Sequence, residues 1–318
     1  MAAGSSTRVV LIALTANFLI ACAKFSAYMW TTSSAMLSES IHSLVDTSNQ
    51  ALLLYGDRRS KRPADATHPF GYARELYFWS FVVAILLFAL GAGFSIYEGI
   101  EKLLHPHPIT DPYINYLVLV VALVIEGYAT SAAISEFNSR RGATGILRAL
   151  RDSKDPALIT ILLEDLAAIS GLIVAFAGVF LAHVYGIAQA DGVASIAIGC
   201  VLALVAIFLS NEVKGLLIGE AARPHVQEGI RALINAEKAS NGHILAINEI
   251  RTMQLGARDV LVAASVDFDD TSTAVDVKET TQRLELKIRE AYPEVQKFYI
   301  EVQAAADHHT MLNHTKES

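Results

Sequence analysis

Cysteine is scarce in this chain, and so are motifs that bind nucleotides or provide a catalytic nucleophile. The 318 residues include two cysteines, Cys22 and Cys200, both inside apolar segments, so no disulfide framework is expected. A glycine-rich phosphate cradle followed by Lys and Ser or Thr is missing, which argues against ATP as the driving force. Since no nucleophile–base arrangement accompanies the polar residues, we expect neither an intramembrane hydrolase nor any other enzyme, and no resident cofactor.

Hydrophobic residues are what the chain has in excess. They make up 53% of the sequence and the mean hydropathy is +0.39, which is too apolar for an ordinary soluble protein of this length. The formal net charge of −7 is the sum over an apolar membrane part and an acidic C-terminal region, so it says little about either. No nucleic-acid partner is expected. The first apolar run starts at Val9 and lacks a small-residue cleavage pattern, so it does not resemble a cleavable signal.

Six apolar segments are long enough to cross a lipid bilayer as helices. They cover residues 8–30, 34–56, 76–98, 113–136, 156–183 and 192–213. The loops after the second and fourth segments are rich in Arg and Lys, whereas the other three loops hold only Lys102. By the positive-inside rule the two basic loops, and with them both termini, are cytoplasmic. The sequence therefore predicts an α-helical membrane protein with six transmembrane helices.

From about Arg223 the pattern becomes that of a small soluble domain. Apolar residues at helical spacing predict two amphipathic helices, and alternating apolar residues predict strands. The elements in chain order are a helix at 225–237, strands at 243–254 and 260–268, a helix at 273–292 and a strand at 298–302. The order helix–strand–strand–helix–strand suits a two-layer α+β domain.

These patterns divide the chain into three parts. Residues 1–222 form the predicted six-helix transmembrane domain, residues 223–304 the predicted cytoplasmic domain, and residues 305–318 a flexible tail. About eighty ordered residues make a small hydrophobic core, which favours pairing with a second copy of the chain.

The second segment carries an unusual set of polar residues. Glu39, His42, Asp46 and Asn49 are spaced three, four and three residues apart, so they line one face of a helix. His42 and Asp46 lie roughly 12 and 18 Å below the outer end and bracket the membrane midplane. An imidazole and a carboxylate one turn apart form half of a transition-metal site, whereas the alternative is a polar pair that joins helices.

Other segments add acids at a similar depth. Glu164 and Asp165 are adjacent carboxylates in the fifth segment, and they are costly there unless a cation or proton neutralises them. Glu126 of the fourth segment lies about thirteen residues from its outer end. Lys24 of the first segment is expected to reach toward the interface or to pair with Glu39.

This donor set suits a borderline divalent transition metal. One imidazole with several carboxylates favours zinc, while manganese and iron also accept such ligands and calcium fits less well. Ligands lose protons when they bind a metal ion, so loading releases protons and unloading takes them up. The transported ion is therefore expected to be zinc or a similar divalent metal, with proton counter-transport.

The six-helix topology, the His42–Asp46 pair and the acid Asp165 together resemble the cation diffusion facilitator family. So does the loop 62–74, with the sequence Arg-Pro-Ala-Asp-Ala-Thr-His-Pro-Phe-Gly-Tyr-Ala-Arg. The resemblance covers nearly the whole chain and implies a homodimer that exports cytoplasmic divalent metal in exchange for protons by alternating access. It also implies four ligands, two each on the second and fifth helices, and a ferredoxin-like small domain that drives dimerisation.

The fifth helix departs from the family pattern. Ile161 stands where the family carries a His or Asp ligand, and Glu164 follows three residues later on the same face. Glu164 is therefore the expected fourth ligand beside His42, Asp46 and Asp165, with Glu126 as the alternative. The run Glu-Asp-x-Ala-Ala resembles a divergent branch of the family that includes a mitochondrial-type zinc transporter. Asn49 and Glu39 are further candidate ligands.

Two features of the loop and the sixth helix follow from the resemblance. Asp65 matches an accessory zinc ligand with His68 nearby, but Tyr72 stands where a histidine is common, so this second site is expected to be weak or absent. Arg74 and Glu220 match a charged pair that joins the third and sixth helices in relatives.

The small domain also departs from the pattern. It keeps Asp267 and Glu301 on its strands but has Ser265 where a histidine ligand is expected, so a binuclear site is not expected there. The tail histidines are interpreted as stray groups on a frayed terminus. They are His308, His309 and His314.

The sequence thus predicts a proton-coupled exporter of divalent metal from the cytoplasm. The alternatives are a non-transporting membrane sensor or scaffold with a degraded metal site, and a manganese- or iron-selective exporter. A prokaryotic inner membrane is the expected location, since no transit peptide is recognised ahead of the first segment.

Overall fold

The computed structural model describes residues 3–106, 109, 111–141, 145–151, 153–308 and 310. The chain forms two compact units, Met1–Lys214 and Gly215–Ser318. The predicted division at residue 222 and the predicted flexibility of the tail stay predictions.

The first unit is built from helices. They are α1 (Ala3–Thr31), α2 (Ser34–Ser60), α3 (Glu75–Leu86), a π-helical stretch (Leu87–Ala92), α4 (Gly93–Leu104), α5 (Pro112–Arg141), α6 (Ile146–Arg151), α7 (Pro156–Val184) and α8 (Gln189–Ile218). The stretch from α3 through α4 is continuous, so six long helices among the described residues correspond to the six predicted segments.

Four of these helices are long and apolar enough to cross a membrane by length and composition. Within the described residues they are Glu75–Leu104, Pro112–Ser131, Pro156–Val184 and Gln189–Ile218. α2 falls outside this group, and it is the helix that carries Glu39, His42, Asp46 and Asn49. Polar residues along its buried face lower its hydropathy, which agrees with a role as the site-bearing helix.

α2 lies at the centre of the first unit. It packs against α1, α3, the π-helical stretch, α4 and α7. Its first turn is capped by Ser33, whose Oγ accepts a hydrogen bond from the Met36 amide at 3.3 Å. Because helices surround it, the polar face of α2 is enclosed by protein, where its side chains meet those of the neighbouring helices.

The second unit is an α+β domain with the predicted order of elements. It contains α9 (Pro224–Asn241), β1 (Ile244–Gly256), β2 (Asp259–Phe268), α10 (Ala274–Ala291) and β3 (Val295–Val302). β2 is the central strand, antiparallel to β1 and parallel to β3, and Ala264 pairs with Ile250 on one side and Ile300 on the other.

The core of this unit follows the predicted periodicities. Alternate residues of β2, among them Val262 and Val266, are buried against Ile230 of α9 and Leu284 of α10. α9 ends at Asn241 and is followed by Gly242, whose φ of +70° is readily adopted by glycine. The sequence expectation of a small α+β domain is confirmed.

Candidate metal site

The predicted pair on α2 is formed. His42 Nδ1 lies 3.4 Å from Asp46 Oδ1, one helical turn away, and both residues are buried. Neither ring nitrogen of His42 has a hydrogen-bond partner among the described residues, and the same is true of Asp46 Oδ1. A buried polar group left unsatisfied costs about 1–3 kcal/mol, so these atoms are poised to bind a ligand.

α7 brings its acids to the same region. Glu164 is buried and accepts a hydrogen bond from Asn49 Nδ2 of α2 at 2.6 Å. Asp165 is half-buried next to it. The contact between Asn49 and Glu164 therefore fixes α7 against the polar face of α2.

A small cavity, with room for about one water molecule, lies among these residues. It is lined by Asn17, Ser43, Asp46, Gln50, Glu126, Glu164 and Asp165. Four of the seven are carboxylates, and they come from α2, α5 and α7. Because ionised carboxylates that line one small cavity repel one another, the cavity favours a bound cation.

The structure does not bring the predicted ligands into a closed coordination shell. Among the residues that the structure describes, no three His, Cys, Asp or Glu side chains lie close enough together to hold a metal ion. His42 faces Asp46 without lining the cavity, whereas Glu164 points to Asn49. The site therefore consists of the pairs His42–Asp46 and Asn49–Glu164 at an acidic cavity. The assignment of metal ligands stays a proposal.

Lys24 and Glu39 form a buried ion pair. Lys24 Nζ lies 3.0 Å from Glu39 Oε2 and also donates to Ser43 Oγ at 2.8 Å. Of the two arrangements expected for Lys24, the structure shows the pair with Glu39.

Ile161 does not contribute to the cavity. Its side chain is exposed, and Glu164, one turn further along α7, lines the cavity instead. This arrangement agrees with Glu164 as the replacement for the missing ligand. Glu126 lines the same cavity from α5, so the two alternatives remain.

In the loop 62–74, the carboxylate of Asp65 accepts hydrogen bonds from other residues of the same loop. Asp65 Oδ2 accepts from Tyr72 Oη at 2.6 Å, and Oδ1 accepts from the backbone amides of His68 and Thr67 at 2.7 and 3.0 Å. The hydrogen bond from Tyr72, followed by that from His68, lowers the pKa of Asp65. Tyr72 thus holds Asp65 as part of the loop, which gives the carboxylate a structural role. The expectation that metal binding at Asp65 and His68 is weak or absent stays a prediction.

Arg74 and Glu220 belong to different units of the chain. Their predicted ion pair stays a prediction.

In the small domain, the positions compared with metal ligands make internal contacts. Ser265 Oγ donates to Gln303 Oε1 at 3.2 Å, and Asp267 Oδ2 accepts from the Ala305 amide at 3.1 Å. His308 is buried, with its Nδ1 2.9 Å from Gln303 Oε1. His309 and His314 lie outside the described residues.

On α2, two contributors to the site were missed by the sequence interpretation. Ser43 and Gln50 line the cavity from α2, next to the recognised polar positions. Their spacing of seven residues, with Asp46 between them, is the sequence signal that places them on a common face.

The sequence model of the cation efflux transmembrane domain family matches residues 10–218. A human protein named mitochondrial proton-coupled zinc antiporter is 34% identical over 264 residues, which cover 82% of this chain and 46% of that protein. Metal tolerance protein C4 of Arabidopsis thaliana is 35% identical over 220 residues, covering 68% of this chain and 48% of its own. The manganese efflux system protein MneP of Bacillus subtilis is 25% identical over 274 residues, covering 84% of this chain and 86% of its own.

The chain belongs to the cation efflux family, a family of transporters, and it is an integral membrane protein. The predicted resemblance to cation diffusion facilitators is confirmed, and the human relative carries the name of the mitochondrial-type zinc transporters. The chain spans about half the length of the human and plant relatives that it matches.

Proposed function

We propose that this protein exports a divalent transition metal ion, zinc first, across a membrane in exchange for protons. The observation that carries the proposal is the unsatisfied His42 imidazole beside Asp46, on a buried helix that borders a cavity with four carboxylates. The names of the human, plant and bacterial relatives support divalent metal transport.

His42, Asp46, Asp165 and Glu164 are the proposed ligands, and Glu126 is the alternative to Glu164. Coordination of one ion by these side chains would satisfy the unpartnered atoms of His42 and Asp46. Because these groups must be deprotonated to bind metal, metal entry and proton release are linked.

A manganese- or iron-selective exporter is the second candidate. Carboxylates outnumber imidazoles around the cavity, and harder metals such as manganese prefer oxygen ligands. The bacterial relative named as a manganese efflux protein supports the same candidate. A non-transporting sensor remains the alternative of a different class.

We further propose a homodimer with both termini in the cytoplasm of a prokaryotic cell, embedded in the inner membrane. Arg58 and Arg59 in the last turn of α2 support this orientation by the positive-inside rule. Since the human relative is named as mitochondrial, an organelle membrane is the competing location.

The test is metal flux into sealed liposomes that contain the purified protein and a metal-sensitive dye, with an imposed pH gradient. Zinc, manganese, iron, cobalt and cadmium are compared. We expect gradient-dependent entry of one or two of them and its loss in Asp46→Ala and His42→Ala, which should still fold. Asp57→Ala, on the same helix but in an exposed pair with Lys61, is the matched control and should transport normally.

Wild-type rates from both site variants would refute the ligand assignment. Metal binding without flux from folded wild-type protein would favour the sensor.

A further inference from the structure

The ion pair between Lys24 and Glu39 is completely buried. Both side chains have 0% exposure, and they join α1 to α2. Taking two charges out of water is costly, and well-packed apolar residues often replace such a pair without loss of stability. Helix packing alone therefore gives no sufficient reason for charges at these positions.

Only one carboxylate oxygen of Glu39 has a hydrogen-bond partner among the described residues. Its Oε2 accepts the Lys24 hydrogen bond, whereas its buried Oε1 has no hydrogen-bond partner among the described residues. Gly171 of α7 lies against this oxygen, and a Cβ at that position would overlap it. Because Gly171 has no side chain, the Glu39 carboxylate packs directly against the α7 backbone, at the interface between α2 and α7.

Glu39 lies on the same helix interface as the candidate metal site. It precedes Asp46 by seven residues on α2, and Gly171 follows Glu164 by seven residues on α7. Seven residues of helix correspond to about 10 Å. Glu39 therefore lies about 10 Å along α2 from Asp46, toward the Ser34 end of the helix. The predicted topology places that end outside the cytoplasm.

We propose that Glu39 is a transient ligand on the exit route and that Lys24 is its resident counter-cation. This inference rests on the proposed function. The outgoing divalent ion binds the unpartnered Oε1 of Glu39, and the Lys24 ammonium shifts toward Ser43, with which it already shares a hydrogen bond. When the ion leaves, Lys24 returns to Glu39, so the carboxylate is never a buried unpaired charge.

A purely structural pair and a transit site behave differently when both charges are removed. If the pair only joins α1 to α2, the double variant Lys24→Met with Glu39→Gln leaves no uncompensated charge and should transport like wild type. If Glu39 binds the outgoing ion, the same variant lacks a ligand on the route and should transport slowly.

The experiment measures zinc flux in the liposome assay and equilibrium zinc binding in detergent for the same preparations. For the double variant we expect zinc affinity within about threefold of wild type, because the His42–Asp46 pair is intact, and flux reduced by about tenfold or more. Cys22→Ala, an exposed position on α1 two residues from Lys24, is the control and should keep wild-type flux.

Wild-type flux from the folded double variant would overturn the inference and leave the proposed function standing. Absence of flux from wild-type protein would refute the proposed function and this inference with it. If this double variant does not fold, Lys24→Gln with Glu39→Gln replaces it, because two neutral amides can hydrogen-bond to each other and leave no uncompensated charge. Slow flux with intact zinc binding supports the transit role, and normal flux refutes it.

Discussion

His42 is surrounded by protein, yet its two ring nitrogens lack hydrogen-bond partners among the described residues. Other polar side chains of α2 are satisfied locally, as when Ser40 and Thr47 donate to backbone carbonyls of Leu37 and Ser43 at 2.8 Å. The hydroxyl groups of Ser40 and Thr47 therefore serve the helix itself, whereas the imidazole of His42 remains available to a ligand.

The contact between Asn49 and Glu164 is a direct polar link from α2 to α7 at the cavity. A hydrogen bond of this length to a carboxylate contributes about 1.5–3 kcal/mol. In a double-mutant cycle with Asn49→Ala and Glu164→Ala, we expect a coupling energy of this size in the free energy of unfolding, measured by denaturant titration in micelles. Strictly additive effects of the two substitutions would contradict the pairing.

At the scale of the helix, the start of α2 is held by an acid from another helix. Asp191 is fully buried at the beginning of α8. Its carboxylate accepts from Ser33 Oγ at 2.6 Å and from the Ser34 amide at 2.7 Å, and it lies 3.8 Å from Lys102 Nζ. Asp191 thus joins the amino-terminal ends of α2 and α8 to Lys102 of α4.

Replacement of this acid should be among the most destabilising changes in the first unit. We expect Asp191→Ala to lower the free energy of unfolding by about 3–5 kcal/mol, because it leaves Lys102 and the first amides of α2 without their buried anion. Thermal and denaturant unfolding in micelles measure the change. Asp57→Ala, in an exposed ion pair on α2, should cost less than about 1 kcal/mol. Equal losses in the two variants would rule out this role of Asp191.

In the second unit, Glu237 joins the two helices. Its buried carboxylate on α9 accepts from Arg283 Nε at 3.0 Å and from Lys287 Nζ at 2.7 Å, both on α10. Burial by itself would raise the pKa of Glu237, but the hydrogen bonds from Lys287 and Arg283 outweigh it, so the pKa is lowered.

This lowered pKa predicts a pH dependence of stability. A carboxyl group whose pKa is lower in the folded state contributes stability above its unfolded pKa of about 4.3, and loses it as the pH falls through the folded value. Glu237→Gln should therefore cost about 1–3 kcal/mol at pH 7, and the difference from wild type should shrink as the pH drops below about 4. Unfolding of the full-length chain, followed between pH 3 and 7, measures it. A difference that stays constant over that range would contradict the assignment.

At the scale of the whole molecule, the small second unit has a limited core of its own, made by one face of a three-stranded sheet and two helices. Domains of this size bury a smaller fraction of their surface than larger ones do, which favours association with a second copy. We expect the purified protein to have the mass of two chains of 34.4 kDa each after correction for bound detergent. Light scattering coupled to size-exclusion chromatography measures this mass. A single-chain mass across the concentrations needed for full transport would contradict the homodimer.

The sequence by itself determined the long helices of the first unit and the helices and strands of the second unit, in their order, but not the short helix α6 or the π-helical stretch. Apolar runs of membrane length and periodicities of 3.6 or 2 residues are local properties of the chain. They can therefore be recognised in the sequence without knowledge of the fold. The same holds for the pairing of His42 with Asp46, because a spacing of four places them one turn apart on any helix.

Only the tertiary structure decided which side chains from different helices meet. It placed Glu126 and Glu164 around one cavity, paired Lys24 with Glu39, and brought Asp191 to the first turn of α2. These contacts join positions as far as 157 residues apart, and they depend on how the helices rotate and pack against one another. A local pattern carries no information on that rotation, because many helix arrangements would bury the same apolar faces equally well.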